Sequence, residues 1–281
     1  MTIREKLEAG IVYLDGGTGT LLQAMGLAAG ELPELWNLLH PDRITALHRA
    51  YYEAGSNIVY TNTFGANPLK YDGKEGRPHL EEVVKAAVAN ARRAAKEGEE
   101  RYVALDIGPL GRMLAPLGDL PFEEAVALFS EIVKAGADGA DLVAIETMND
   151  AYETKAALLA VKENCSLPVI VTNVYDEKGR LLTGATPESM VAMLEGMGAD
   201  AVGMNCSLGP AKMVELVPRF MAAASVPVIV KPNAGLPRAQ GGGAVYDVGP
   251  DGFAAAMQKA VEYGARVVGG CCGTTPEFIK A

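Results

Sequence analysis

Nowhere in these 281 residues is there a run of about 18 apolar side chains, which excludes a membrane-spanning helix. Basic residues are in deficit: 25 Lys and Arg stand against 35 Asp and Glu, a formal net charge of −10. That balance repels phosphate backbones and anionic lipid, so neither nucleic acid nor a membrane surface is an expected partner. The opening "MTIREKLEAG" lacks the apolar core of a secretion signal and reads as a charged helix. A cytoplasmic location is expected, where thiols stay reduced. Linkers, charge blocks and low-complexity tracts are also missing, so residues 1–281 read as one domain. Cysteine is scarce, four in all, yet two are adjacent in "RVVGGCCGTTP" near the end. Under reducing conditions a strained disulfide explains that pair poorly, which leaves packing or metal ligation.

What the chain does have is a repeating unit. A β-branched apolar run ends in a polar or Gly-rich turn, and an amphipathic stretch follows. The runs are "IVYLDGG", "NIVYTNTFG", "RYVALDIGP", "DLVAIETMND", "PVIVTNVYD", "DAVGMNCS", "PVIVKPNAG" and "RVVGGCCG". Their near-continuous apolar character suits strands buried on both faces of a parallel sheet. Between them lie stretches of helical period, as in "PFEEAVALFSEIVKAGA", where Phe122, Val126, Phe129 and Val133 recur three and four apart. Eight such units, in a length close to the usual 250 or so residues, predict a single (β/α)8 barrel. A doubly wound open sheet is the runner-up, because periodicity does not count closure. After Cys272 only "GTTPEFIKA" remains, about one turn of an eighth helix. Either the chain is the N-terminal piece of a longer polypeptide or the first helix covers that face; the former is favoured.

In such barrels the functional groups come from the carboxyl ends of the strands. Polar residues fall there: Asp15, Thr61–Asn62–Thr63, Asp106, Glu146, Asn173, Asn205–Cys206, Lys231 with Asn233, and Cys271–Cys272. Any one of them alone could cap a turn; eight strand ends together point to a shared pocket. Cys165, in "KENCSLP", precedes the fifth run, so it belongs at the opposite end and is assigned to packing. Cys206, Cys271 and Cys272 converge on one rim, and three thiolates leave tetrahedral zinc an open fourth position. Adjacent residues of a regular strand face opposite ways, so the pair needs the flanking Gly269, Gly270 and Gly273 to bend the backbone. A free thiol has a pKa of about 8.5, and zinc coordination ionises it. Three thiolates make the metal a poor activator of water, which favours alkyl transfer to a substrate sulfur. In "DGGTGT", Gly16, Gly17 and Gly19 around Thr18 expose N–H groups able to hold a carboxylate. Asp15 and Glu146 could take an ammonium. An anion nest, an acid pair and a thiol-seeking metal together describe an amino acid with a sulfhydryl end.

"LDGGTGT", "TNTFGAN", "ETMND", "GMNCS", "KPNAG" and "GGCCGTTP", in this order over nearly the whole chain, resemble the homocysteine S-methyltransferase family. The likeness is nearest to homocysteine-binding barrels that work with cobalamin. It implies Cys206, Cys271 and Cys272 as zinc ligands and homocysteine sulfur as the fourth. It also implies Asp15 and Glu146 on the substrate amino group, and backbone groups of Gly16, Gly17 and Thr18 on its carboxylate. Phe64 would pack near the substrate, and Asn233 would approach the zinc when substrate is absent. Methylcobalamin on another domain or protein is the implied donor, with S-methylmethionine or betaine as alternatives for a stand-alone enzyme. Two competing readings use the same rim: a lyase forming a Schiff base on Lys231, and a non-catalytic sensor of thiol ligands. His40, His48 and His79 lie away from strand ends and are not proposed as ligands. Trp36 and the methionines are assigned to packing, and the triple glycine at 241–243 to a loop after the seventh run.

Overall fold

The computed structural model describes residues 1–95, 99–240 and 243–281. Its strands are β1 (Val12–Tyr13), β2 (Ile58–Tyr60), β3 (Tyr102–Ile107), β4 (Leu142–Met148) and β5 (Val169–Asn173). They continue with β6 (Ala201–Asn205), β7 (Val228–Lys231), β8 (Arg238–Gln240), β9 (Gly243–Val245) and β10 (Val267–Val268). Eight form one sheet in the order β1-β10-β7-β6-β5-β4-β3-β2, all neighbours parallel. A bridge between Leu14 and Ile58 joins the two ends, so the sheet closes on itself. The fold is a (β/α)8 barrel, and the open-sheet alternative is set aside. β8 and β9 form a separate antiparallel hairpin after β7. The loop expected at the triple glycine falls there, and Gly241 and Gly242 lie outside the described residues.

The strand period of two sorts the core. Val12, Leu14, Ile58, Tyr60, Ala104, Leu142, Ala144, Ile170, Ala201, Ile229 and Val267 fill the barrel interior. Their neighbours Val143, Ile145, Val169, Val171, Val202, Val228 and Val230 face outward and pack under the helices. Two residues beyond the last apolar inward position, Asp106, Glu146 and Lys231 continue the interior series as polar groups. The barrel is therefore apolar through its lower layers and polar at its carboxyl end.

Helix Ile3–Ala9 sends Ile3 and Leu7 into that interior cluster and so closes the opposite end. It does not take the place of an eighth helix. That position holds only the short helix Pro276–Lys280, which packs on helices Pro41–Ala54 and Pro250–Glu262. Pro276 begins it, and Thr275 gives no side-chain cap; its hydroxyl has no partner among the described residues. No helix among the described residues is long and apolar enough to cross a membrane.

His48, on helix Pro41–Ala54, is fully buried, and neither ring nitrogen has a partner among the described residues. Burial pushes its pKa down to about 4. Between that value and about 6.5, the unfolded chain binds the proton and the folded chain does not, so stability rises with pH. Acidification from pH 6.5 to about 4 should cost up to about 3 kcal/mol at this site. Denaturant melts of His48→Leu across this window should show a flatter pH slope than the parent; equal slopes would remove His48 from the account.

Candidate active site

The polar end of the barrel opens into a cavity of about 230 Å³. Asp15, Gly16, Gly17, Thr18, Phe64, Asp106, Glu146, Lys231, Cys206, Cys271 and Cys272 all line it. All four cysteines are free, and the Sγ atoms of Cys206, Cys271 and Cys272 lie within 4.8 Å of one another. Among the described residues this is the one cluster of three side chains so disposed to hold a metal. Cys165 sits at the other end of the barrel, partly buried ahead of β5.

The cysteines converge because the chain leaves the sheet before reaching them. β10 ends at Val268, so the alternation of a strand does not apply at Cys271 and Cys272. Their backbone is held instead by the end of β7: Cys271 N–H donates to Pro232 O at 2.8 Å, and Cys272 O accepts Ala234 N–H at 2.9 Å. Of the flanking glycines only Gly273 takes a left-handed φ, +80°, and a side chain there would strike the Tyr246 ring. Cys206 and Ser207, just past β6, hold φ of +58° and +51° without being glycine, a strained turn that presents the Cys206 sulfur. Thr274 ties this loop to the first one. Its Oγ1 donates to Cys271 O at 2.7 Å and accepts Gly17 N–H at 3.1 Å. A Cβ at Gly17 would fall 2.7 Å from Cys271 O, so only glycine allows the two loops this approach.

Lys231 Nζ lies 3.5 Å from Asp15 Oδ1 and 3.6 Å from Glu146 Oε2, and 4.6 Å from the centre of the Tyr60 ring. Burial works to lower its pKa, but the charges of Glu146 and Asp15 prevail and hold it well above the ordinary lysine value. An amine whose pKa is raised by two neighbouring carboxylates is a weaker nucleophile at neutral pH, which disfavours the Schiff-base role. Burial pushes the Asp15 carboxyl up to about 6, against the opposing pull of Lys231. Asp15 Oδ2 accepts Tyr60 N–H at 2.7 Å.

Several expected pocket groups sit elsewhere. Asn233 does not line the cavity; its Oδ1 accepts Cys272 N–H at 3.1 Å and supports the cysteine loop. Asn173 is one residue out of step with the inward series, so it points to helix Ala151–Asn164 and donates to Thr154 Oγ1 at 2.9 Å. Asn205 stands behind the wall, its Nδ2 2.7 Å from Thr147 Oγ1 and 3.9 Å from Cys271 Sγ. In the first loop, Gly17 N–H is already engaged by Thr274, while Gly16 and Thr18 N–H have no backbone acceptor among the described residues. Phe64, 43% exposed, lies against Gly108 at the mouth.

Sequence reasoning missed Tyr60 and Glu34. Tyr60 is an ordinary inward strand residue until Lys231 rests on it. Glu34 comes from a one-turn helix, Pro33–Leu35, far from any strand end; its carboxylate accepts Gly65 N–H at 2.7 Å and Tyr71 OH at 3.2 Å. No motif flags it. Its hydrogen bonds to Gly65 and Tyr71 hold it at the pocket wall.

Fold and site together define the class: a (β/α)8-barrel protein carrying a cluster of three free cysteines at the carboxyl end of the barrel. Residues 12–281 match the model of the homocysteine S-methyltransferase family, and the chain belongs to that family. It is 34% identical to a methionine synthase of Mycobacterium leprae over 98% of its own length, and 34% identical to that of Mycobacterium tuberculosis over 95%. The chain spans 24% of the length of each of these curated relatives. The metallated form of the homocysteine methyltransferase MmuM from Escherichia coli superposes with a TM-score of 0.79 at 25% identity, covering 96% of this chain and 94% of that one.

Proposed function

We propose that this barrel transfers a methyl group to the thiol of homocysteine, giving methionine, with zinc held by Cys206, Cys271 and Cys272. The observation that carries the reading is the three free sulfurs within 4.8 Å of one another on the wall of a pocket lined by carboxylates and by Gly16 and Thr18, whose N–H groups have no backbone acceptor among the described residues. The donor set fits the metal: a tetrahedron with Zn–S of about 2.3 Å has sulfurs about 3.8 Å apart, within the 4.8 Å that encloses these three. When bound, zinc would ionise the substrate thiol and keep its sulfur nucleophilic at neutral pH.

The chain's own groups do the rest. The acid–lysine cluster holds the amino end of the substrate, and the N–H groups of Gly16 and Thr18 receive its carboxylate. Phe64 covers the mouth and limits water. Asn233 and Thr274 fix the cysteine loop, so the sulfurs are presented with little rearrangement.

Residues 1–281 act in this reading as a homocysteine-binding domain of a longer chain, and methylcobalamin arrives on another domain or protein. The relatives named methionine synthase support it, since most of their length lies outside the matched region. A cytoplasmic setting would keep the thiols reduced. Offering homocysteine separately with methylcobalamin, S-methylmethionine and betaine, and measuring methionine, tests the donor. Methionine should form with methylcobalamin; formation with S-methylmethionine or betaine alone would assign the donor otherwise, and none with any donor would end the methyl-transfer reading.

A further inference from the structure

Asn205 ends β6 in phase with Ala201, one of the residues that fill the barrel interior, and it is fully buried. It does not line the cavity, yet its side chain reaches three residues that do: Glu146, Thr147 and Cys271. Its Oδ1 accepts Thr147 N–H at 2.9 Å. A backbone N–H can only donate, so this contact fixes which end of the amide is oxygen. The nitrogen end then faces the other groups. Nδ2 lies 2.7 Å from Thr147 Oγ1, 3.4 Å from Glu146 Oε2 and 3.9 Å from Cys271 Sγ.

The strand that carries Glu146 is irregular at this point. Its pairing with β5 shifts register between Ile145 and Met148, and Thr147 stands at φ +60°, rare for a β-branched residue. Bulges of this kind re-aim a side chain beside a site, and strained backbone persists only where the surroundings hold it. The Asn205 amide holds this one, taking both the N–H and the hydroxyl of Thr147. Asn205 also immediately precedes Cys206 and the left-handed turn that presents its sulfur. One buried side chain thus anchors the bulge that aims Glu146 and touches the cysteine cluster. We propose that Asn205 is a positioning residue that fixes the spacing between the Glu146 carboxylate and the Cys271 sulfur, and so selects the length of amino-acid thiol the pocket accepts. This rests on the reading of the pocket as an amino-acid thiol site, with the acids at the amino end and the metal at the sulfur. Two anchors at a set separation match one number of methylenes between ammonium and thiol. Cysteine, one methylene shorter than homocysteine, meets one anchor only by giving up the other.

The test is calorimetric titration of the zinc-loaded protein with L-homocysteine and with L-cysteine. A missing methylene is worth about 10- to 200-fold where a site discriminates by fit, so the parent should prefer homocysteine by at least about tenfold. Asn205→Leu, of similar volume, should retain zinc and narrow that preference to within about threefold. Thr147→Gly adopts the left-handed φ freely and leaves the Glu146 and Cys271 contacts in place, so it should keep the parent's preference. Should Asn205→Leu not fold, Asn205→Ala in the Thr147→Gly background makes the same comparison with the turn relieved. An unchanged preference in Asn205→Leu overturns the proposal, and so does loss of zinc, which would make Asn205 a support of the metal site alone. Equal narrowing by Thr147→Gly would assign the effect to the turn and overturn it too. If the parent binds neither thiol, the amino-acid thiol reading fails and the spacing role with it. A parent that binds both thiols equally defeats the spacing role alone.

Discussion

Cys206→Ala or Cys272→Ala should strip the protein of zinc and of thiol methylation, while Cys165→Ala should keep both. The three sulfurs lie within 4.8 Å of one another, so each variant removes one corner of a nearly formed tetrahedron. Structural zinc sites bind with about 10–16 kcal/mol shared among their ligands, so losing one thiolate should cost on the order of 3 kcal/mol, more than a hundredfold in affinity. Cys165 is at the far end of the barrel and touches none of this. Metal content after dialysis against a chelator of known affinity reads the outcome directly. One equivalent of zinc retained by Cys272→Ala, or lost by Cys165→Ala, would show the ligand assignment to be wrong.

Lys231→Met should destabilise the fold by about 3–5 kcal/mol, because it leaves two buried carboxylates without their cation. Lys231 is 3% exposed, and its Nζ is within 3.6 Å of both Asp15 and Glu146. Methionine fills much of the same volume, so the loss reports charge more than packing. Adding Asp15→Asn should recover part of it, since the pair couples through one interaction. Denaturant unfolding of the two single variants and the double gives the coupling. A Lys231→Met protein as stable as its parent would mean that solvent, not the lysine, balances these acids. The same ion pairing predicts no adduct on Lys231 when carbonyl compounds are offered with borohydride.

Much of the barrel was legible along the chain because both of its signals are local. Apolar β-branched runs alternate with helical period whatever the rest of the molecule does, and strand ends are visible as changes from apolar to polar. The inward series carries the lesson in particular residues. Asp106, Glu146 and Lys231 stand two positions beyond Ala104, Ala144 and Ile229, so parity alone turns them into the barrel. Asn173 fails the same parity and faces a helix. Had the register been counted, that residue would have been left out of the pocket.

Residue order alone determined the fold class, the end of the barrel where the polar residues gather, and the separation of Cys165 from the other three cysteines. These follow from periodicity and from position before or after a strand, which are properties of neighbours in the chain. Closure through Leu14 and Ile58, the pairing of Lys231 with two acids, the arrival of Glu34 and an Asp106 Oδ1 with no hydrogen-bond partner among the described residues were decided only by the tertiary structure. Each depends on distances between groups tens to hundreds of residues apart, and on which hydrogen bonds are already taken. No local pattern encodes those.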